Sequence, residues 1–231
     1  MEYKEIIENP FVVYDKLNLP FALKNHMLTT ASCCSLICDN WIGPKINKDA
    51  VIAISLLHDL GNIAKISFSN DFVQKMLINS PNWQNLTASR KVIEFWKKRK
   101  QEFVNLYGSN DKFATLKILE EINFPKEGIE LFEEEEFFKF DTKKFESKIG
   151  LYVDNRVSPH GIVTIRNRME EAKSRYSVTP EMISNYEKLL SDLEKNIFNY
   201  IKFSPDFLSN QNIEPYLNKW DLSKLISPNQ P

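Results

Sequence analysis

The 231-residue chain carries three histidines, at positions 26, 58 and 160. His58 stands beside Asp59 at the end of the run AVIAISLLHDL, residues 50–60. Ala50, Val51, Ile52, Ala53, Ile54, Leu56 and Leu57 leave that segment almost no polar face, so a helix there is buried on all sides. Burying an imidazole and a carboxylate costs roughly several kcal/mol unless each meets a partner or a cation. A second apolar run, Gly150-Leu151-Tyr152-Val153, leads directly into Asp154. His26 lies about one turn into an early helix, with Thr30, Cys34 and Cys38 on its face. If that helix and the next pack antiparallel through the short IGPKI connection (42–46), His26 comes level with His58 and Asp59. Two imidazoles and two carboxylates, His26, His58, Asp59 and Asp154, would hold one divalent ion, with Mn, Mg, Co, Ni, Fe and Zn all compatible. In an octahedral site about two positions stay free for a water and a phosphate oxygen. Such an ion lowers the water's pKa and draws charge from the phosphoryl group.

Phosphate contacts are expected nearby. Arg156 follows Asp154 by two residues, and its planar guanidinium suits a non-bridging phosphate oxygen. Lys65, about two turns past His58, is a second candidate. Pro159 and Gly161 suggest a bend opening another helix, whose amides could add to an anion site; Arg166 and Arg168 follow on that helix. His160 reads as a loop residue. Several other features read as structural. Cys34 and Cys38 fill small spaces in a core. Lys97-Lys98-Arg99-Lys100 and Glu133–Glu136 read as solvated faces, and the Phe132, Phe137, Phe138, Phe140 and Phe145 stripe as core or oligomer surface.

The elements that must position these residues are helical. Stretches free of Gly and Pro carry apolar residues at three-to-four spacing, with helices expected at about 23–41, 47–61, 86–107, 111–122, 141–157, 163–176, 180–201 and 214–225. Asn47 is the expected N-cap and Gly61 the expected C′ residue of the second helix. No run of alternating residues argues for a strand. The fold class is therefore all-α, with residues 1–176 as the core and 177–231 as a helical extension packing on it, both parts expected to form one domain.

Composition narrows the function. Lys+Arg of 30 against Asp+Glu of 31 leaves a net charge of −1, which argues against bulk attraction to nucleic acid or anionic membrane. Cys33, Cys34 and Cys38 are too few and too close for a disulfide framework and suit a reducing compartment. The acidic start MEYKEIIENP is unlike a signal peptide, and no apolar run approaches the roughly 18–20 residues of a bilayer span. The expected location is cytoplasmic.

The spacing of His26, the LLHDLGN stretch at 56–62 and the later Asp154 resembles the HD-domain metal-dependent phosphohydrolases. The resemblance spans roughly residues 20 to 170. It implies an HD-domain-like helical bundle in which His26, His58, Asp59 and Asp154 bind a catalytic metal, and in which Asp59 also helps orient or deprotonate the attacking water. No histidine occurs between Asp59 and Asp154. That departs from dinuclear members and points to the small single-metal, nucleotidase-like branch. Asn62 stands where members often carry Lys or Glu. The expected activity is hydrolysis of a phosphomonoester, a nucleotide above all, with homo-oligomerisation open. The alternative is an HD-like nucleotide-binding or scaffold protein with little or no catalysis.

Overall fold

The computed structural model describes residues 1–68, 90–138, 141–158, 161–175 and 179–225. Among them the fold is all-α apart from one minimal hairpin. Two short helices, α1 (Tyr3–Glu8) and α2 (Phe11–Leu17), precede α3 (Phe21–Asp39) and α4 (Lys48–Ser55). A 3₁₀ turn covers Leu60–Ala64. Then come α5 (Arg90–Tyr107), α6 (Asp111–Glu121) and α7 (Lys126–Glu133), which runs into a π-helical turn at Glu134–Phe138. Helix α8 (Phe145–Asp154) is followed by the antiparallel pair β1 (Val157–Ser158) and β2 (Gly161–Ile162). The described chain ends with α9 (Ile165–Arg175), α10 (Pro180–Phe198), α11 (Asn210–Leu217) and a 3₁₀ turn at Leu222–Leu225.

Helix α3 is the axis. It packs against α4, α8 and α11, and Met27 to Cys38 are buried throughout. Four hydroxyls in this stretch would be costly in a core, but each returns to the carbonyl one turn back. Thr29 donates to Asn25, Thr30 to His26, Ser32 to Leu28 and Ser35 to Ala31, at 2.8–2.9 Å. A helix that satisfies its own side chains can be buried on every face despite its polar composition.

The apolar core forms two clusters that meet along α3. One joins α1, α2, the first half of α3, most of α4, α5 and α6. The other joins the second half of α3 with α8, α10 and α11. The C-terminal segments belong to this packing. The Arg156 guanidinium donates to the Tyr152 hydroxyl and to Glu194 Oε2 (3.0 Å), tying α8 to α10. Trp220 Nε1 donates to the Ile7 carbonyl at 2.7 Å, tying the end of the chain to its beginning.

The second helix is shorter than its sequence suggests. Asn47 does cap it, its side chain accepting from the Ala50 amide. But α4 stops at Ser55, and Leu56–Asp59 turn before the 3₁₀ segment. Gly61 is also not the left-handed C′ residue expected; the described glycines with positive φ are Gly108 and Gly161. Its role is close approach. A Cβ at Gly61 would stand 1.9 Å from the Asp111 carbonyl oxygen, and the Gly61 amide donates to Thr115 Oγ1 at 2.9 Å. The segment carrying the His-Asp doublet therefore lies flush against the start of α6. Gly161 does not open a helix: Gly161–Ile162 pairs antiparallel with Val157–Ser158, and α9 begins at Ile165. No helix of the described residues is long and apolar enough to cross a membrane.

Gly61→Ala sets the new methyl against backbone that cannot rotate away. The expected loss is about 1–3 kcal/mol, the usual range for overpacking, read as a lower urea midpoint with unchanged slope. Stability equal to that of the parent protein would show that the doublet is not pinned by this contact.

Candidate metal centre

The break after Ser55 sets the first ligand. In a continuing α-helix the Ser55 carbonyl would accept from the Asp59 amide. Here the backbone turns, and the carbonyl instead lies 2.9 Å from His58 Nδ1. A carbonyl can only accept, so Nδ1 carries the proton, and in the neutral ring Nε2 is left with its lone pair. That is the arrangement in which a second contact orients a metal-binding imidazole. His58 is buried, and its Nε2 is a buried polar atom without a hydrogen bond.

The other groups converge on that atom from α3 and α8. Asp154 Oδ1, at the end of α8, lies 3.3 Å from His58 Nε2 and 3.0 Å from His26 Nε2. His26, from the first turns of α3, stacks obliquely on His58 with ring centroids 5.3 Å apart. Asp59 straddles the two rings, with Oδ1 3.8 Å from His58 Nε2 and Oδ2 3.6 Å from His26 Nε2. One ligand atom from each of His26, His58 and Asp154 falls within 4.8 Å of the others. Bonds of about 2.1 Å put neighbouring ligand atoms roughly 3.0 Å apart at right angles and roughly 3.4 Å apart at the tetrahedral angle. The observed spacings fit a shared cation of that size, and the orphaned Nε2 fits it too. The side chain of Asp154 is 38% exposed and that of His58 only 5%, so the centre opens to solvent on the Asp154 side.

Electrostatics follow from the crowding. Burial works against charge on both His58 and Asp154. On His58 the neighbouring Asp59 and Asp154 charges outweigh it and push the imidazole up to about 10. On Asp154 the contacts with His26 and His58 outweigh it and hold the carboxyl well below its usual value. Without an ion, a proton on His58 balances the carboxylates.

Of the expected phosphate contacts, the structure brings one to the centre's edge and turns the other away. Lys65 is held by Asp111, 2.8 Å from Oδ2, and it feels the charge of Asp59. Arg156 is 3% exposed and consumed by the protein. Besides Tyr152 and Glu194, it donates to the Val163 carbonyl through Nε and to Pro205 through Nη2. Its expected phosphate role is corrected to a structural one. Helix α8 ends at Asp154, and the turn through Asn155 carries Arg156 toward Glu194 on α10 instead of toward the centre. Arg168 pairs with Glu171. His160 and Pro159 lie outside the described residues.

One acidic residue was misplaced by the sequence reading. Glu133–Glu136 were expected to form a solvated face, but Glu135 is 7% exposed, and its Oε1 is buried without a hydrogen bond. Burial, reinforced by the charges of Glu136, Asp154 and Glu134, pushes its carboxyl well above the usual range although His58 opposes the shift. The π-helical turn that begins at Glu134 takes Glu135 out of α-helical register, so spacing alone does not place it.

Two opposite pH trends should follow. In metal-free protein the raised His58 contributes stability that is fully present below the unfolded value of about 6.5 and is lost as pH rises through about 10. The melting temperature of chelator-treated protein should therefore fall over that window. Divalent-ion affinity should rise over the same window, because the ion must displace the His58 proton. Calorimetric titrations in buffers of different ionisation enthalpy should show proton release near neutral pH. Binding without proton release would contradict the pairing of His58 with these carboxylates.

Comparison with known proteins adds nothing to this geometry: no family model matches the chain, and no curated protein or solved structure matches it.

Proposed function

We propose that the protein is a metal-dependent phosphohydrolase acting on a phosphomonoester, with a nucleotide as the substrate class. The observation that carries this reading is the convergence of His26, His58 and Asp154 on one point, with Asp59 beside them and the buried His58 Nε2 without a hydrogen bond. The resemblance of the His26, LLHDLGN and Asp154 pattern to HD-domain phosphohydrolases supports it, as does the all-α class. A divalent ion held there would supply Lewis acidity toward the phosphoryl group and a more acidic water.

The chain's own residues then have distinct parts. Ser55 fixes the His58 tautomer through its carbonyl. Asp154 joins the two imidazoles, and Asp59, between both rings and 20% exposed, is placed to orient the attacking water and accept its proton. Lys65, 57% exposed, can leave Asp111 for a substrate phosphate. Asn62 adds no titratable group, so proton transfer falls on the carboxylates of the centre.

Purified protein supplied with Mn²⁺, Co²⁺ or Ni²⁺ should release phosphate from a panel of nucleoside monophosphates, with turnover on the order of 1 s⁻¹ for the preferred one. Asp154→Asn should reduce the rate by at least about 100-fold, as expected for loss of a group that organises a metal site. Nucleotide binding without turnover under any metal would replace this reading with that of a binding protein. Turnover that survives Asp154→Asn would remove the centre from the mechanism.

A further inference from the structure

Glu135 is a buried carboxyl, with one oxygen lacking a hydrogen bond, whose chemistry the proposed site does not yet use. It lies in the π-helical turn that follows α7, and such turns shift side chains out of α-helical register, often at functional sites. Its carboxyl rests on the face of Gly150. A Cβ there would meet Oε1 at 2.2 Å, Cδ at 2.7 Å and Oε2 at 2.9 Å. Gly150 precedes Asp154 by four residues on α8, so the two share a face. The carboxyl therefore lies one helical turn behind the Asp154 ligand.

The charges that act on this carboxyl also belong to the centre. Glu135 interacts electrostatically with His58 and Asp154, and with Cys34 on α3. Cys34 Sγ in turn contacts Ser55 Oγ at 3.2 Å, on the residue whose carbonyl holds His58. Glu135 thus packs on α8, within electrostatic reach of groups on α3 and just after α4, the elements that bear the candidate ligands. A carboxyl buried there with an unpaired oxygen destabilises the metal-free fold. An apolar side chain of similar length would pack there without that cost.

We infer that Glu135 is a further carboxyl of the metal centre, standing behind the ligands and accepting through Oε1 a hydrogen bond from water held in the occupied site. The inference rests on the metal-centre part of the proposed function. Glu135 is a positioning residue: it tightens ion binding and orders the water rather than touching the ion. Groups that support metal ligands in this way are typically worth about 10–100-fold in affinity. Gly150 is part of the device, since any larger residue would displace the carboxyl.

The test is calorimetric titration of Mn²⁺ alone into full-length, chelator-treated protein, paired with thermal unfolding of the metal-free form. Glu135→Met should bind Mn²⁺ about 10-fold more weakly than the parent, yet melt at a higher temperature without metal. Gly150→Ala, which keeps the carboxyl but pushes it aside, should weaken Mn²⁺ binding similarly. Glu135→Gln, which keeps an acceptor, should recover part of the affinity. Unchanged Mn²⁺ affinity in both Glu135→Met and Gly150→Ala would overturn the inference. So would a lower metal-free melting temperature in Glu135→Met with affinity unchanged, the outcome for a residue that only packs. If Glu135→Met does not fold, Gly150→Ala and Glu135→Gln decide by the same affinity criterion. Parent protein that binds no Mn²⁺ would remove the centre and this inference together. Parent protein that binds Mn²⁺ tightly but hydrolyses nothing would remove the hydrolase reading alone and leave the Glu135 result standing.

Discussion

The site depends on a carbonyl that a helix gives up. When α4 ends at Ser55, the Ser55 oxygen loses its backbone partner and takes the His58 Nδ1 proton instead. This one substitution of donors accomplishes several things. It satisfies a carbonyl that would otherwise be buried unpaired, fixes the tautomer of a buried imidazole, and aims the remaining nitrogen at the space between α3 and α8. A helix continued for one more turn would leave Nδ1 without this partner and would carry Asp59 away from His26. The early end of α4 is therefore a requirement of the centre.

Holding that break in place takes packing from both sides. The Tyr14 hydroxyl donates to the Leu56 carbonyl at 2.7 Å, occupying the next acceptor after Ser55. On the other side Gly61 lets the 3₁₀ segment press onto the Asp111 carbonyl. Between these contacts the His58–Asp59 pair has little freedom. The counterpart on α8 is the network of Arg156, Tyr152 and Glu194, which anchors the end of that helix to α10 just past Asp154. An arginine placed by sequence beside the candidate ligands thus serves the site by steadying the helix that presents Asp154.

The sequence shows the ligands better than it shows their surroundings. His58 and Asp154 can be picked out because each is a polar group ending an apolar run and must find partners there; His26 follows from the expected antiparallel packing of the first two long helices. The helical class is equally legible from the three-to-four spacing. What cannot be read is anything set by local departures from regular helix. The end of α4, the π-helical turn at Glu134–Phe138 and the pairing of Val157–Ser158 with Gly161–Ile162 each change which way a side chain points by more than spacing rules allow for. Arg156 and Glu135 fall at such places. The first was expected at the site and is taken up by α10. The second was expected in solvent and is buried behind Asp154. Neither position follows regular α-helical spacing: Glu135 lies in the π-helical turn, and Arg156 lies beyond the end of α8.

The location of the centre follows from the way the core is divided. Its two apolar clusters meet along α3, and a seam between clusters is where polar groups can approach one another without either cluster losing its continuity. His58 comes from the side of the first cluster and Asp154 from the second, while His26 lies on the helix common to both. A cation bound among them would join the two halves, so its binding energy would act directly on the docking of α8 against α3 and α4. Ion binding and stability are coupled by this topology. The same argument explains why an unpaired carboxyl is tolerated at Glu135: a group at the seam can cost stability in the metal-free protein and return it when the centre is filled.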